Sequence, residues 1–132
     1  MSDVKLSGAA VISSLIRGSA DYGELVRSMK PAKPLSVSGI TDSANPLFVA
    51  TLAADMMTEG SPVVICKEEK VCRTVAAAIE ALGVRAEHFP ARDYNFNNIT
   101  ASREFEHERL RVLSLLAGGE RFVVLTTPQA LL

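Results

Sequence analysis

The chain has 132 residues, 48% of them hydrophobic and 22% charged, with a formal net charge of -1. This length and composition match one ordinary domain and exclude wholesale disorder. The balanced charge and an aromatic content of only 5%, without Trp, argue against nucleic-acid binding through bulk basicity and against a stacking platform for single strands.

The first predicted elements are helical. Residues 6–30 carry apolar side chains at helical spacing, interrupted at Gly18 and Ser19, and predict one or two helices. Pro31 and Pro34 follow as a short stiff linker. We therefore divide the chain into an N-terminal helical arm with linker, residues 1–34, and an α/β domain, residues 35–132.

After the linker, strand and helix patterns alternate. Strands are predicted over residues 35–38, 62–66, 84–89 and 122–125. Helices are predicted over residues 46–59, 68–82 and 101–117, with a further one opening at Pro128. Strands separated by helices form βαβ units, so the pattern predicts a parallel sheet with helices on both faces. Ligands of such sheets bind at the carboxyl ends of the strands.

The loop after the first predicted strand has the setting of a phosphate-binding loop, whose pattern is G-x-x-x-x-G-K-[ST]. Gly39 keeps the first glycine, but Ala44, Asn45 and Pro46 replace the second glycine, the lysine and the hydroxyl residue. These changes remove the close backbone approach, the charge for the phosphates and the Mg²⁺ ligand. The loop also contains Asp42, and no Lys or Arg occurs between residues 33 and 67.

We therefore predict a degenerate phosphate loop that binds no cofactor. Its residues are Gly39, Thr41, Asp42, Ser43, Ala44, Asn45 and Pro46. The alternative is that Gly39 is simply a turn glycine and the likeness is accidental.

The cysteines and histidines are the residues of this chain that could form a catalytic or metal site. Cys66 and Cys72 straddle a strand end and a helix start, with His88 as the nearest partner for a catalytic thiol, but inert buried cysteines are the prediction. His107 lies in an acidic helical stretch that reads as a solvated face. We predict no catalytic residue and no metal site.

The polar loop after the third predicted strand offers a surface for a partner. Arg92, Tyr94 and Phe96 combine a cation with two aromatic rings, a composition that suits protein or nucleic-acid contact. The alternative, equally open, is that Tyr94 and Phe96 pack back against the helix at Phe105.

Several stretches together resemble a known family. They are ITDSANPLFVATLA (40–53), HFPARDY (88–94), SRE (102–104), RLRVL (109–113) and VVLTTPQALL (123–132). In order and spacing they are similar to the UvrB-homology module of bacterial transcription-repair coupling factors, over residues 35–132. UvrB itself keeps a working phosphate loop and inserts a long β-hairpin that residues 90–100 are too few to hold.

This resemblance implies a helicase-lobe-like, P-loop-type α/β fold and a non-catalytic scaffold segment in transcription-coupled nucleotide excision repair. The full-length protein would use ATP and Mg²⁺ to translocate on DNA, displace stalled RNA polymerase and recruit UvrA. Those partners would be bound by other parts of the protein, and this segment would contact the remainder of its own chain. We expect the segment to be cut within its last helix and to expose one apolar face.

Two other functions remain open. One is an active nucleotide-binding helicase lobe, against which Asn45 and Pro46 argue. The other is a stand-alone α/β domain that binds a small ligand over residues 39–45. The sequence shows neither a signal-peptide pattern nor a membrane span, and its two cysteines suit a reducing compartment, so a cytoplasmic location without a membrane partner is expected.

Overall fold

The computed structural model describes residues 8–92 and 99–132, and for residues 99–102 it describes the backbone alone. Its helices and strands follow in the order α1 (Gly8–Arg17), α2 (Ala20–Ser28), α3 (Asn45–Met56), β1 (Val63–Ile65), α4 (Glu69–Ala81), β2 (Ala86–His88), α5 (Ile99–Ala117), β3 (Val123–Thr126) and α6 (Pro128–Leu131).

The three strands form one parallel sheet in the order β1-β3-β2. The last strand in the chain is therefore the central one, with Val124 opposite Val63 on one side and Glu87 on the other. All four residues of β3 are buried, as expected for a β-branched run with neighbours at both edges and side chains packed on both faces.

Helices cover both faces of the sheet. On one face, Val123 and Leu125 pack in a core with residues of α3 and α4, including Ala50, Val75 and Ile79. On the other, Phe122 and Val124 pack against α5 through Val112, Leu115 and Leu116. The period-two alternation of β3 sends successive side chains to opposite faces, which explains the two clusters. The predicted α/β class with parallel strands and helices on both faces is confirmed.

The N-terminal helices dock on α3. Ser13 and Thr51 are both buried, and their hydroxyls lie 2.8 Å apart. Arg17 donates from Nε to Asp55 at 3.0 Å, and the Tyr22 hydroxyl donates to the same carboxylate at 2.5 Å. The break between α1 and α2 falls at the predicted position, where Ser19 caps α2 by accepting a hydrogen bond from the Tyr22 N–H.

The predicted strand over residues 35–38 is wrong. Within the described part of the chain, this segment pairs with no strand of the sheet. It runs exposed beside α2, sharing a shallow surface depression with Glu24 and Leu25. Alternating apolar residues make a strand only where a neighbour supplies the ladder hydrogen bonds, and no strand neighbour lies beside Leu35 and Val37. The sheet therefore has three strands where four were predicted.

The remaining elements lie where the sequence predicts them, with ends shifted by a few residues. The largest difference is in α3, which begins at Asn45 and ends at Met56 instead of running to residue 59. None of the helices within residues 8–92 and 99–132 combines the length and the apolar character that a membrane span requires.

Candidate functional site

The loop predicted as a degenerate phosphate loop, residues 39–46, leads into α3, and two of its backbone donors are used within the loop. The N–H groups of Ala44 and Asn45 donate to the Thr41 carbonyl at 3.1 and 3.0 Å. Pro46, the next residue, has no N–H at all. A phosphate-binding loop points these groups at its ligand, so this helix start has lost three successive donors.

The rest of the loop is a solvent-facing turn. Thr41, Asp42 and Ser43 are exposed, and the Thr41 and Ser43 hydroxyls lie 3.4 Å apart. Gly39 has a φ of +84°, in the left-handed region that favours glycine, although nothing would lie within 4 Å of an added Cβ. The turn conformation thus favours glycine here, and no other described segment of the chain comes close to it.

A groove of about 550 Å³ lies beside this loop, between it and the two N-terminal helices. Its lining is mainly apolar and includes Ile12, Leu15, Ile16, Leu25, Val37, Ile40 and Phe48. Tyr22 and Phe48 meet edge to face at its base, with ring centroids 6.2 Å apart. The groove has the size and character of a small-molecule pocket.

The proposed partner-contact residues are only partly described. Arg92 lies four residues after the end of β2, and its side chain is exposed. Tyr94 and Phe96 lie outside the described residues, so their roles stay predictions. Phe105 on α5 is itself substantially exposed.

A cluster of sulfur, nitrogen and oxygen donors lies at the carboxyl edge of the sheet. Cys66 follows β1, Glu69 and Cys72 belong to the first turn of α4, and His88 ends β2. One ligand atom each from Glu69, Cys72 and His88 lies within 4.8 Å of the other two. Parallel strands end at the same edge, which is why residues from two successive βα connections meet here.

The contact between Glu69 and His88 is close but poorly aligned. Oε2 of Glu69 lies 2.5 Å from Nε2 of His88. The directions do not satisfy a hydrogen bond, and Nε2 is shielded from solvent with no hydrogen-bond partner among the described residues. Both side chains remain partly exposed elsewhere on their surfaces. Nε2 therefore has the Glu69 carboxylate beside it but no aligned hydrogen bond, an uncommon arrangement for a buried polar atom.

The two thiols are buried, as the sequence predicts. Cys72 donates to the Thr126 carbonyl at 3.3 Å. Burial raises the pKa of Cys66 and raises that of Cys72 to about 12. Neither thiol is therefore a ready thiolate nucleophile at neutral pH in this arrangement.

Sequence reasoning paired His88 only with a possible catalytic thiol and missed Glu69. The usable signal was a Glu-x-x-Cys spacing in the first turn of a helix that follows a strand, with a histidine ending the next strand. His107 is exposed on α5, as expected for a solvated face.

The described residues form an α/β protein with a small parallel sheet and a loop before α3 in which the Ala44 and Asn45 N–H groups are hydrogen-bonded to Thr41. Donor atoms of Glu69, Cys72 and His88 cluster at one edge of the sheet. No protein-family profile, curated protein sequence or solved structure matches the chain. The functional assignment consequently depends on the residues and their contacts.

Proposed function

We propose that this chain is a non-catalytic scaffold segment of a bacterial transcription-repair coupling factor, from its UvrB-homology module. The resemblance of residues 35–132, in the order and spacing of their stretches, supports this assignment. The P-loop-type ancestry of the fold is part of the same proposal. In the full protein, a separate ATP- and Mg²⁺-dependent motor would move on DNA and displace stalled RNA polymerase, and other regions would recruit UvrA.

The observation that carries the non-catalytic assignment is the hydrogen bonding at the start of α3. The N–H groups of Ala44 and Asn45 donate to the Thr41 carbonyl, and Pro46 has no N–H group. A nucleotide triphosphate at this loop would find neither the lysine nor the donors that hold its β- and γ-phosphates. Asp42 would add repulsion.

The scaffold role is supported by an exposed apolar strip on β1. Val63 and Ile65 are 58% and 57% exposed, and the register places them on the same face as Val124. Helix α5 covers the β3 part of that face and leaves both β1 side chains open to solvent. Apolar residues so placed suit contact with further protein, which we assign to the remainder of the module.

Calorimetric titration with Mg-ATP tests the loss of nucleotide binding. We expect no binding to the natural chain. The matched variant Ala44→Gly/Asn45→Lys/Pro46→Thr rebuilds the pattern and shows whether the rest of the loop could still cradle a phosphate. Micromolar binding by the natural chain would overturn the proposal in favour of an active nucleotide-binding lobe.

The length of the natural open reading frame tests the coupling-factor assignment. We expect the reading frame to continue beyond the codon for Leu132 into sequence with RNA-polymerase-binding and translocase regions. A stop codon directly after that position would contradict the assignment, whatever the calorimetry shows.

A second function, small-ligand binding over residues 39–45, is favoured by the apolar groove beside the loop. Its volume of about 550 Å³ and apolar lining fit a small hydrophobic molecule with few polar groups. An apolar fluorescent probe should bind the natural chain and lose affinity in Ile40→Arg, which places a charge in the groove. Equal probe binding by both proteins would exclude this function.

A further inference from the structure

We propose that Glu69, Cys72 and His88 form a binding site for a divalent transition-metal ion, with Zn²⁺ as the best fit. The proposal is independent of the scaffold function, and its residues lie on α4 and β2, not on the exposed strip of β1. It depends on three observations: the convergence of the donor atoms, the chemistry of the donor set, and the contact of the buried His88 Nε2 with Glu69, which is not an aligned hydrogen bond.

The donor atoms already converge. The carboxylate, thiol and imidazole ligand atoms all lie within 4.8 Å of one another. Zn²⁺ takes sulfur at about 2.3 Å and nitrogen or oxygen at about 2.0–2.2 Å, so its ligands lie about 3–4 Å apart. Small rotations of exposed side chains would reach that spacing, chiefly by separating Glu69 from His88.

The mixture of donors selects the class of ion. Mg²⁺ and Ca²⁺ take oxygen ligands, whereas a thiolate with an imidazole and a carboxylate suits Zn²⁺ and related transition metals. Because the three ligands come from the first turn of α4 and the end of β2, a bound ion would tie these two elements together at the sheet edge.

One ligand of the proposed site faces a surface depression. Glu69 lines a depression of about 220 Å³ together with Lys67, Glu68, Ala91, Thr127 and Gln129. Three protein ligands leave one tetrahedral position on Zn²⁺, which a water molecule can take.

The Nε2 atom of His88, which contacts Glu69 without an aligned hydrogen bond, is the second line of support. It is buried at the atom level and makes no hydrogen bond within the described residues, although it touches the Glu69 carboxylate. Coordination would satisfy this nitrogen and neutralise the adjacent carboxylate at the same time.

The chain offers matched controls for two of the three ligands. Glu68 precedes Glu69, and His107 is the other histidine. The test compares Glu69→Gln, Cys72→Ser and His88→Asn with Glu68→Gln and His107→Asn. Each protein is reduced with a non-thiol reagent, freed of metal by chelation, and titrated with ZnCl₂ by calorimetry and with CoCl₂ by absorption.

We expect one Zn²⁺ per natural chain and a Co²⁺ complex with sulfur-to-metal charge-transfer absorption. Each ligand variant should bind at least about tenfold more weakly, with the controls within about threefold of the natural chain. Saturating Zn²⁺ should raise Tm by about 5 °C or more, because only the folded state brings the ligands together. Since Cys72 lies in the core, its variant is checked by circular dichroism, and the partly exposed Glu69 and His88 variants carry the test.

Absence of Zn²⁺ binding, or of the charge-transfer band, would overturn the proposal. So would a Glu68→Gln or His107→Asn variant that loses binding as fully as its ligand counterpart, because the ion would then be held elsewhere. None of these outcomes bears on Mg-ATP binding, so failure here is distinguishable from failure of the scaffold assignment.

Discussion

Two arginines of α5 make contacts that join the helix to the rest of the protein. Arg109 donates to the Pro90 carbonyl at 2.7 Å and the Ala130 carbonyl at 2.9 Å, with its guanidinium 4.2 Å from the centroid of the Phe89 ring. In the sequence, Arg109 belongs to the stretch RLRVL, one of those that carry the family resemblance. In the structure, it links α5 to the segment after β2 and to α6.

Arg111 interacts with two carboxylates, and Glu87 is the more buried of them. Arg111 donates to Glu87 at 2.6 Å, and the Glu87 side chain is only 16% exposed. The Arg111 hydrogen bond, opposed in part by burial and aided by Arg85, lowers the pKa of Glu87. Folded protein therefore binds the Glu87 proton less readily than unfolded protein does.

We predict that Glu87 makes stability fall in acid. Its contribution is fully present above the unfolded carboxyl pKa of about 4.3 and is lost as pH falls through the lower folded value. Glu87→Gln should cost about 1 kcal/mol at neutral pH and flatten the decline below about pH 5. Urea unfolding across pH measures both effects.

Glu80→Gln, on the exposed side of α4, is the control for the Glu87 variant and should reproduce the natural pH profile. An unchanged acid slope in Glu87→Gln would show that the ion pair with Arg111 does not persist in solution.

At the scale of elements, the arm is attached to α3 by polar contacts one helical turn apart. Thr51 and Asp55 are four residues apart and share a face of α3. The Thr51 hydroxyl donates to the Leu47 carbonyl at 2.7 Å, so the Ser13 hydroxyl must donate to Thr51. Burial and the Asp55 carboxylate raise the pKa of Tyr22, which keeps the Tyr22 hydroxyl protonated and donating.

The direction of the Ser13 hydrogen bond predicts an order of mutational effects. Thr51→Val leaves the buried Ser13 hydroxyl without its acceptor and should cost about 1–3 kcal/mol, whereas Ser13→Ala should cost about 1 kcal/mol or less. The double variant should cost less than the sum, since both partners are then apolar. Urea unfolding of the four proteins completes the cycle. Strict additivity would contradict the predicted interaction.

At the scale of the whole molecule, stability is concentrated around β3. Its Val123 and Val124 N–H groups donate to the Arg85 and Pro62 carbonyls, each at 2.9 Å, one toward each neighbouring strand. Both core clusters include its side chains. Helix α1, by contrast, exposes Val11, Ile12 and Leu15 and packs mainly on α3, while α2 reaches α3 through the Tyr22 contacts with Phe48 and Asp55.

We therefore predict that native-state hydrogen exchange is slowest in Val123–Thr126, where opening requires global unfolding. Amides of α1 and α2 should exchange at least about tenfold faster through local detachment from α3. Exchange resolved by NMR measures both groups in one sample. Equal protection of the arm and β3 would mean that they unfold as one unit.

Local apolar patterns in this chain identify most helices and strands but not every strand pairing. The β-branched runs around residues 62–66 and 122–125 were identified correctly, and so were the helices between them, because their apolar periodicity is a property of neighbouring residues. Residues 35–38 carry a similar alternation and form no strand. Whether residues 35–38 form a strand depends on another strand lying beside them, and the local sequence does not specify that neighbour.

The amino-acid sequence alone was sufficient for the α/β class and the parallel sense of the strands, whereas the interpretation of residues 39–46 as a degenerate phosphate loop stays a prediction. The sequence could not place β3 at the centre of the sheet, dock the arm on α3 or bring Glu69, Cys72 and His88 together. Those features depend on contacts between residues far apart in the chain, and such contacts form only when the elements pack into one core.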